Sequence, residues 1–353
     1  MTIYFVVWML VIIPYLLMPN RHNTKFSHKY AIYIGMCLTL LIGLRGITVG
    51  ADTAQYEYRY RIVEEMIKPG VAERGYSFFS YFFKQLGFSY YAYNFVVACI
   101  LSGVLALYYG TYSKNVAFST IIFMTIGLLP MYMTGTRQAL AISLCTIGFI
   151  LADKRHSILA LAIVLLASTF HTSALACIAA IAFIMLRLRL SRQTIIVCLM
   201  IAAAAILYRG RLVSLIQPLI PVKYTAIDLN ENYQINPLLI IISILIPMFC
   251  VMFDSGVERD GRYSRQRTWL YMFSCANALF TILAPSSVYF SRVAYYFVHA
   301  NSILIPNMIA EQDKYENRQL MNILIIAVCM AYFVIGTPGG TLQIDQYRFF
   351  WQD

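Results

Sequence analysis

Charged residues are scarce in this chain. Only 12% of its 353 residues are Asp, Glu, Lys or Arg, whereas 60% are hydrophobic and the mean hydropathy is +0.67. A water-soluble domain carries roughly twice that share of charge to cover its surface. The low charge therefore excludes a water-soluble globular fold, and it makes the lipid bilayer the solvent for most of the chain.

Several patterns that carry metal or nucleophilic chemistry are also missing. All eight cysteines lie in apolar segments and none has CxxC spacing, which argues against a disulfide framework or a thiolate metal site. The sequence has no nucleophile elbow, no phosphate-binding glycine loop and no paired-carboxylate metal motif. We therefore expect no metal and no cofactor, and a reaction that draws on a pre-activated substrate.

Apolar stretches long enough to cross a bilayer recur along the chain. A transmembrane helix needs about 20 apolar residues, and about twelve segments approach that length. They lie near residues 2–18, 30–44, 91–112, 116–133, 137–152, 158–170, 173–186, 194–208, 237–253, 269–283, 292–309 and 320–336. The two that meet at Phe170 and His171 are short enough to be broken helices or a re-entrant hairpin. The prediction is one all-α integral membrane domain over residues 1–353, a polytopic bundle of about twelve spans.

The distribution of basic residues predicts the orientation. More than half of the 27 lysines and arginines fall in one set of alternate short loops, which the positive-inside rule assigns to the cytoplasm. Both termini then face outward, together with the two long stretches 47–90 and 209–236. This pattern explains the net charge of +11 without a nucleic-acid partner.

The outer stretch 47–90 is predicted to hold interfacial helices. A charged helical run over residues 55–68 is followed by an aromatic amphipathic run over 76–84. The second run is typical of a helix that lies in the membrane interface with its rings toward lipid and Lys84 toward the headgroups.

Three arginines of the outer side are candidates for binding an anion. Arg137 begins a predicted helix, where free amides and the helix dipole attract negative charge, and Thr134 or Thr136 is placed to cap that helix. A guanidinium at such a position suits a phosphate-like group. The alternative is an interfacial arginine that reaches lipid headgroups, and it applies to Arg45 as it does to Arg137 but less well to Arg292. Arg292 lies deeper in its helix than a headgroup anchor requires.

Two outer residues are candidates for a general base. His171 stands at a membrane boundary, and an imidazole titrates near neutral pH and can take a proton from a hydroxyl. A structural histidine is the alternative. Asp52 is the second candidate, with an ion pair to Arg45 as its alternative role.

Four motifs in order resemble the EpsG/Wzy-like family of bacterial polysaccharide polymerases. They read Arg-Gly…Gly-x-Asp-Thr-x-x-Tyr over residues 45–56, Glu-Arg-Gly-Tyr over 73–76, Thr-Arg-Gln-x-Leu-Ala over 136–141 and Phe-His-x-Ser-Ala over 170–174. The matching motifs cover about residues 40–180, and the half from 209 to 353 agrees in general character only.

The resemblance implies a fold, an activity and partners. The fold would be similar to the membrane-embedded, GT-C-like glycosyltransferases. The enzyme would be a metal-independent glycosyltransferase of the bacterial inner membrane that polymerises O-antigen or exopolysaccharide at the periplasmic face. It would transfer a growing glycan from undecaprenyl diphosphate to a hydroxyl of a new lipid-linked repeat unit. Its partners would be these lipid-linked oligosaccharides, membrane lipids, a chain-length regulator and a flippase.

The same resemblance distributes roles among the outer residues. Arginines would bind the diphosphate, His171 or Asp52 would be the base, and aromatic and acidic side chains would shape the sugar groove. The predicted substrate-binding residues are Arg45, Arg137, Arg292, Glu73, Tyr56, Tyr76 and Tyr289.

Two rival functions fit parts of the sequence. An O-antigen ligase would use the same lipid carrier and the same site logic. A flippase for lipid-linked oligosaccharides would be a transporter, but it should show inverted repeats and charges near the bilayer midplane. Here the charges cluster at one interface.

Overall fold

Helices form the regular structure of the described residues. The computed structural model describes residues 1–17, 24–68, 73–126, 128–219, 237–337 and 342–353, where α-helices are joined by short 3-10 helices, turns and isolated β-bridges. The α-helices are α1 (Thr2–Leu17), α2 (Thr24–Gly43), α3 (Thr53–Arg61), α4 (Val63–Met66), α5 (Arg74–Gln85), α6 (Tyr90–Tyr112), α7 (Val116–Thr125), α8 (Leu128–Thr134), α9 (Thr136–Asp153), α10 (Ser157–Phe170), α11 (Cys177–Met185), α12 (Arg192–Ala204), α13 (Arg209–Ile216), α14 (Pro237–Phe253), α15 (Arg265–Leu283), α16 (Val288–Phe297), α17 (Asn301–Ala310) and α18 (Tyr315–Gly336). The all-α prediction is confirmed for these residues.

Each predicted span coincides with a helix or with a pair of consecutive helices, but fewer of them meet the length and hydropathy that crossing a membrane requires. Three helical segments of the described residues do so, namely Tyr90–Tyr112, Arg265–Ser286 and Glu316–Gly336. Two sharply bent pairs, α7 with α8 and α12 with α13, would raise the number to five, and shorter apolar helices occupy further predicted spans. Membrane-helical character is thus confirmed, while the count of twelve and the GT-C-like architecture stay predictions.

Small residues set the packing of α2 against α6. Helix α6 carries Ser102, Ala106 and Gly110 at intervals of four, so they share one face. A Cβ placed on Gly35 of α2 would lie 3.1 Å from the Ala106 Cβ, and one placed on Gly110 would lie 3.3 Å from the Ala31 Cβ. Small residues at every fourth position let membrane helices approach closely. This close helix pair supports the loop that holds Arg45, which directly follows α2.

Helices form in both predicted runs of the 47–90 stretch, and their position in the membrane interface stays a prediction. Helix α5 turns Ser77 and Ser80 into the protein and leaves Phe78 and Phe82 more than half exposed, at 53% and 57%. Lys84 Nζ donates to a Glu64 carboxylate oxygen at 2.8 Å. This ion pair joins the last turn of α5 to α4.

The segment 342–353 folds back over the loop that follows α2. Backbone hydrogen bonds run from the Gly46 amide to the Arg348 carbonyl at 2.9 Å and from the Phe350 amide to the Leu44 carbonyl at 3.0 Å. The Tyr4 hydroxyl adds a bond to the Ile344 carbonyl at 2.7 Å. The beginning and end of the chain thus meet beside Arg45.

The opposite end of the bundle is tied by a separate ion-pair network. Asp254 is fully buried and pairs with Arg267 at 2.7 Å, while Arg267 also reaches Glu311 at 3.3 Å. Arg267 lies in the first turn of α15, whereas Arg292 lies in α16, which begins after the other end of α15. The predicted loop at Arg21 and the 220–236 part of the outer stretch lie outside the described residues.

Candidate functional site

Arg137 is the centre of a first polar cluster. Its Nη1 donates to Glu73 Oε2 at 2.5 Å, its Nε donates to the Tyr56 hydroxyl at 3.4 Å, and its guanidinium lies 5.7 Å from the centre of the Tyr56 ring. The Tyr56 ring in turn meets the Tyr76 ring edge-on at 5.7 Å. The structure therefore joins four of the predicted substrate-binding residues, although they come from helices α3, α5 and α9 and the turn before α5.

The cap predicted for the Arg137 helix is wrong. Gly135 is the N-cap of α9 and supplies no side chain, whereas the Thr134 hydroxyl donates to the Leu342 carbonyl at 3.2 Å. The threonine holds the 342–353 segment and leaves the first amides of α9 uncapped by a side chain. Such amides add positive potential beside Arg137.

Gly75 explains how Glu73 reaches Arg137. A Cβ at Gly75 would lie 2.0 Å from the Thr169 Oγ1 and 2.8 Å from the Thr169 Cβ, so only glycine lets α5 press against the end of α10. Glu73 precedes α5 in a left-handed backbone conformation at φ 62°, which is uncommon for a residue with a side chain. Strain of this kind concentrates at functional sites. In the 73–76 motif, the close packing of Gly75 thus positions the Glu73 carboxylate beside Arg137.

Tyr76 lies within this packing. Burial raises the pKa of its phenol to about 12, so the hydroxyl keeps its proton over the physiological range. A protonated phenol is a hydrogen-bond donor and acceptor and brings no negative charge to the cluster.

His171 and Arg292 form a second cluster. Arg292 Nη1 lies 3.1 Å from His171 Nε2, and the other ring nitrogen, Nδ1, lies 2.6 Å from the Ser173 hydroxyl. Ser173 donates to the Tyr296 hydroxyl at 3.2 Å. His171 itself is only 2% exposed. It occupies the extended residue between α10 and the following 3-10 helix, so the predicted break at Phe170 and His171 is confirmed.

The two clusters adjoin. Gln138, the neighbour of Arg137, donates its side-chain amide to the backbone carbonyl of Arg292 at 2.8 Å. On the other side Phe79 of α5 packs on Phe170, next to His171, at 5.8 Å. Arg137, His171 and Arg292 therefore lie at one end of the bundle, as their motifs predicted.

Arg45 and Asp52 depart from the sequence-based prediction of an ion pair. Arg45 is 2% exposed, burial lowers its pKa, and its Nη1 donates to the Ile42 carbonyl. Asp52 is exposed at the N-terminus of α3, where the helix dipole favours a carboxylate. Within the described residues neither side chain pairs with the other, because the 342–353 segment closes over Arg45. The phenol groups of Tyr90, Tyr347, Tyr4 and Tyr76 partly offset the lowering of the Arg45 pKa by burial.

Tyr289 lies at the beginning of α16, three residues before Arg292 and thus on the same helix face. Its ring contacts Phe290 at 6.0 Å. The roles of the nine predicted site residues stay predictions.

Two polar residues of the second cluster were not among the predicted site residues. Ser173 follows His171 by two positions and Tyr296 follows Arg292 by four, so each could have been identified from its spacing to a predicted site residue. Gln138 belongs to the 136–141 motif but was not a predicted site residue. Within the described part of the chain, no three His, Cys, Asp or Glu side chains are grouped as a metal site would need.

The described residues define a class of protein: a helical membrane protein with a basic polar site at one end of its bundle. Residues 28–349 match the EpsG family, and the chain belongs to that family of Wzy-like polysaccharide polymerases. The match extends well beyond the 40–180 region of the motifs and includes Arg292. No curated protein and no solved structure gives a match.

Proposed function

We propose that this protein extends a bacterial surface polysaccharide, O-antigen or exopolysaccharide, at the outer face of the inner membrane. The donor is a growing glycan on undecaprenyl diphosphate, and the acceptor is a sugar hydroxyl of a newly delivered lipid-linked repeat unit. The observation that carries the proposal is the pair of adjoining clusters, Arg137 with Glu73 and Arg292 with His171. Membership of the EpsG family supports the polymerase role.

The arginines serve the leaving group. When the bond between the anomeric carbon and the diphosphate oxygen breaks, negative charge develops on that oxygen. Guanidinium groups bind phosphate oxygens in a bidentate manner and stabilise such charge in a site shielded from water. Arg137 and Arg292 supply this stabilisation in the proposal, so the reaction runs without a metal ion. Arg45 contributes positive potential from beneath the loop.

His171 serves the acceptor. Its neutral imidazole takes the proton of the attacking hydroxyl as the new bond forms between that oxygen and the anomeric carbon. The proton ends on His171 and the electron pair of the broken bond ends on the diphosphate. Asp52 is the second candidate for this role, but its exposure and its distance in sequence from the second cluster make it the weaker one.

The aromatic and acidic residues shape the glycan path. Tyr56 and Tyr76 present ring faces and edges beside Arg137, and Tyr289 stands one turn before Arg292. Aromatic rings stack on the apolar faces of sugars, and a carboxylate such as Glu73 accepts hydrogen bonds from their hydroxyls. In the proposal these residues hold the repeat unit while the arginines hold its diphosphate.

Two experiments test the proposal. The purified protein in nanodiscs should convert lipid-linked repeat units into a ladder of longer lipid-linked glycans without any soluble nucleotide. In cells, deletion of the gene should leave single repeat units on the surface. No capping repeat at all in the deletion strain would indicate a ligase or a flippase, and an inactive, well-folded preparation given the correct repeat unit would reject the polymerase.

A further inference from the structure

A small cavity lies between helices α3, α5 and the beginning of α9. Its polar lining includes Arg59, Tyr60, Glu73, Ser77 and Arg137. Its volume of about 40 Å³ admits roughly three water-sized groups. This is room for a phosphoryl group and too little for a sugar ring. A second cavity at the other end of α9, lined by residues that include Asp153 and Arg187, has about 10 Å³ and holds a single water at most.

The charge of the larger cavity comes from three side chains. Arg137 is neutralised by its ion pair with Glu73, whose side chain is only 4% exposed. Arg59 carries the remaining charge, and the described residues give it neither an ion pair nor a hydrogen bond. Its neighbour Arg61 differs, because it pairs with Glu57 one helical turn away. The cavity thus has a net positive charge with one guanidinium uncommitted.

Helix α3 fixes where Arg59 stands. Tyr56 and Tyr60 are both buried; Arg59 follows Tyr56 by three positions and directly precedes Tyr60, and Arg59 and Tyr60 both line the cavity. Tyr56 contacts Arg137 directly. Arg59 is therefore held on the same side as the Arg137 cluster by the burial of its two tyrosine neighbours.

We infer that Arg59 is a further substrate-binding residue, which together with Arg137 holds a phosphoryl group of the polyprenyl diphosphate in this cavity. The inference rests on the proposed function for the identity of the substrate. A two-arginine site suits a phosphate because each planar guanidinium donates two parallel hydrogen bonds to it. Glu73 keeps Arg137 in place while the site is empty and lets Arg59 supply the attraction that draws the anion in.

The test measures anion binding without requiring turnover. The full-length protein is placed in nanodiscs of neutral phosphatidylcholine, and binding of inorganic pyrophosphate is followed by calorimetry. Loss of charge-assisted hydrogen bonds in Arg59→Ala should weaken binding about tenfold to a hundredfold. The pyrophosphate affinity of Arg59→Lys should lie between those of the wild type and Arg59→Ala, because lysine keeps the positive charge but cannot donate two parallel hydrogen bonds. Arg61→Ala is the matched control on the same helix and should bind as the wild type does.

The outcomes separate this inference from the proposed function. Equal pyrophosphate affinity in wild type and Arg59→Ala overturns the role of Arg59, whatever the polymerase assay shows. An Arg59 effect that is present only in nanodiscs with anionic phosphatidylglycerol also overturns it, since Arg59 then contacts lipid headgroups. Loss of pyrophosphate binding in Arg59→Ala but not in Arg61→Ala supports the role of Arg59. This support remains even if the wild type fails to polymerise, because that result would reject only the proposed activity.

Discussion

The guanidinium of Arg292 covers the ring nitrogen through which His171 would act as a base. Arg292 Nη1 lies 3.1 Å from His171 Nε2, and an arginine can only donate, so Nε2 accepts. A neutral imidazole that accepts at Nε2 carries its proton on Nδ1, which faces the Ser173 hydroxyl at 2.6 Å. If His171 is the base, Arg292 must turn to the diphosphate before Nε2 is free. Donor binding and activation of the acceptor would then be coupled.

The first prediction concerns Arg292. Both Arg292→Ala and Arg292→Lys should abolish long glycans, because neither variant places a planar fork between His171 and a diphosphate. With purified protein, the KM for lipid-linked donor should rise about tenfold or more as charge-assisted hydrogen bonds are lost. The exposed loop residue Arg259 is the control, and its alanine variant should keep the wild-type KM. A lysine variant with a normal ladder would reduce Arg292 to a structural partner of His171.

The second prediction concerns Arg137 and its ion pair. Arg137→Lys and Arg137→Ala should insert normally into the membrane and lose the glycan ladder. The pair with Glu73 should appear in a double-mutant cycle of Arg137→Ala and Glu73→Ala as a coupling of about 0.5–3 kcal/mol in thermal stability. Additive losses in the cycle would show that the contact contributes nothing to holding the arginine, and an intact ladder in Arg137→Lys would make Arg137 a headgroup anchor.

The sequence predicted the grouping of the site well because its motifs lie at the ends of helices. An alternation of apolar segments brings the residues of every second connection to one side, so Tyr56, Arg137 and His171 were expected together. Their contacts were out of reach, since ion pairs such as Glu73 with Arg137 join residues from separate elements. The predicted ion pair between Asp52 and Arg45 was wrong for the same reason, because no local sequence pattern indicates that the 342–353 segment covers Arg45.

Two features that were not predicted, the close packing of α2 on α6 and the position of Arg59, do have a signal in the sequence. The small residues Ser102, Ala106 and Gly110 repeat every four positions, which is the spacing of close membrane-helix packing. Arg59 lies three positions after Tyr56, a spacing that places both on one helix face. The span count is harder to predict, because broken helices such as α7 with α8 have the hydropathy of one long helix.

The third prediction tests Gly75. Gly75→Ala should push α5 away from Thr169, because the added methyl group would overlap the Thr169 side chain. Overpacking of this kind typically costs about 1–3 kcal/mol. The substitution should therefore lower the thermal unfolding midpoint and the activity together. Adding Thr169→Ala removes the hydroxyl oxygen nearest the new methyl group and should restore part of both. Gly103→Ala in α6 is the control, because a Cβ there meets nothing within 4 Å and alanine favours the helix. Equal thermal stability of Gly75→Ala and wild type would contradict the packing role.

The fourth prediction concerns orientation. Cysteines introduced at the exposed positions Asp52 and Gln85 should react with an impermeant thiol reagent added to intact cells with a permeable outer layer. Cysteines at the exposed positions Lys154 and Arg259 should react only after the inner membrane is opened, because the basic loops face the cytoplasm. The wild-type chain, which has eight cysteines of its own, gives the background to subtract. Labelling of Asp52 and Lys154 from the same side would remove the basis for an outer-face site.

The last prediction identifies the base. His171→Gln keeps a polar side chain of similar size but has no nitrogen that can take up a proton, so turnover should fall by about 10²–10⁴-fold, as is typical when a general base is lost. Donor binding should persist, because Arg137 and Arg292 remain. Polymerisation by the wild type in nanodiscs should decline on the acidic side of its profile as the imidazole becomes protonated and can no longer accept, and that acidic limb should be absent from the residual activity of His171→Gln. Asp52→Asn is the comparison: with its carboxylate exposed and unpaired among the described residues, it should keep near wild-type turnover and the same acidic limb. If His171→Gln retains the wild-type rate and acidic limb while Asp52→Asn loses both, the coupling between Arg292 and His171 is structural, and the proton of the acceptor hydroxyl leaves through Asp52.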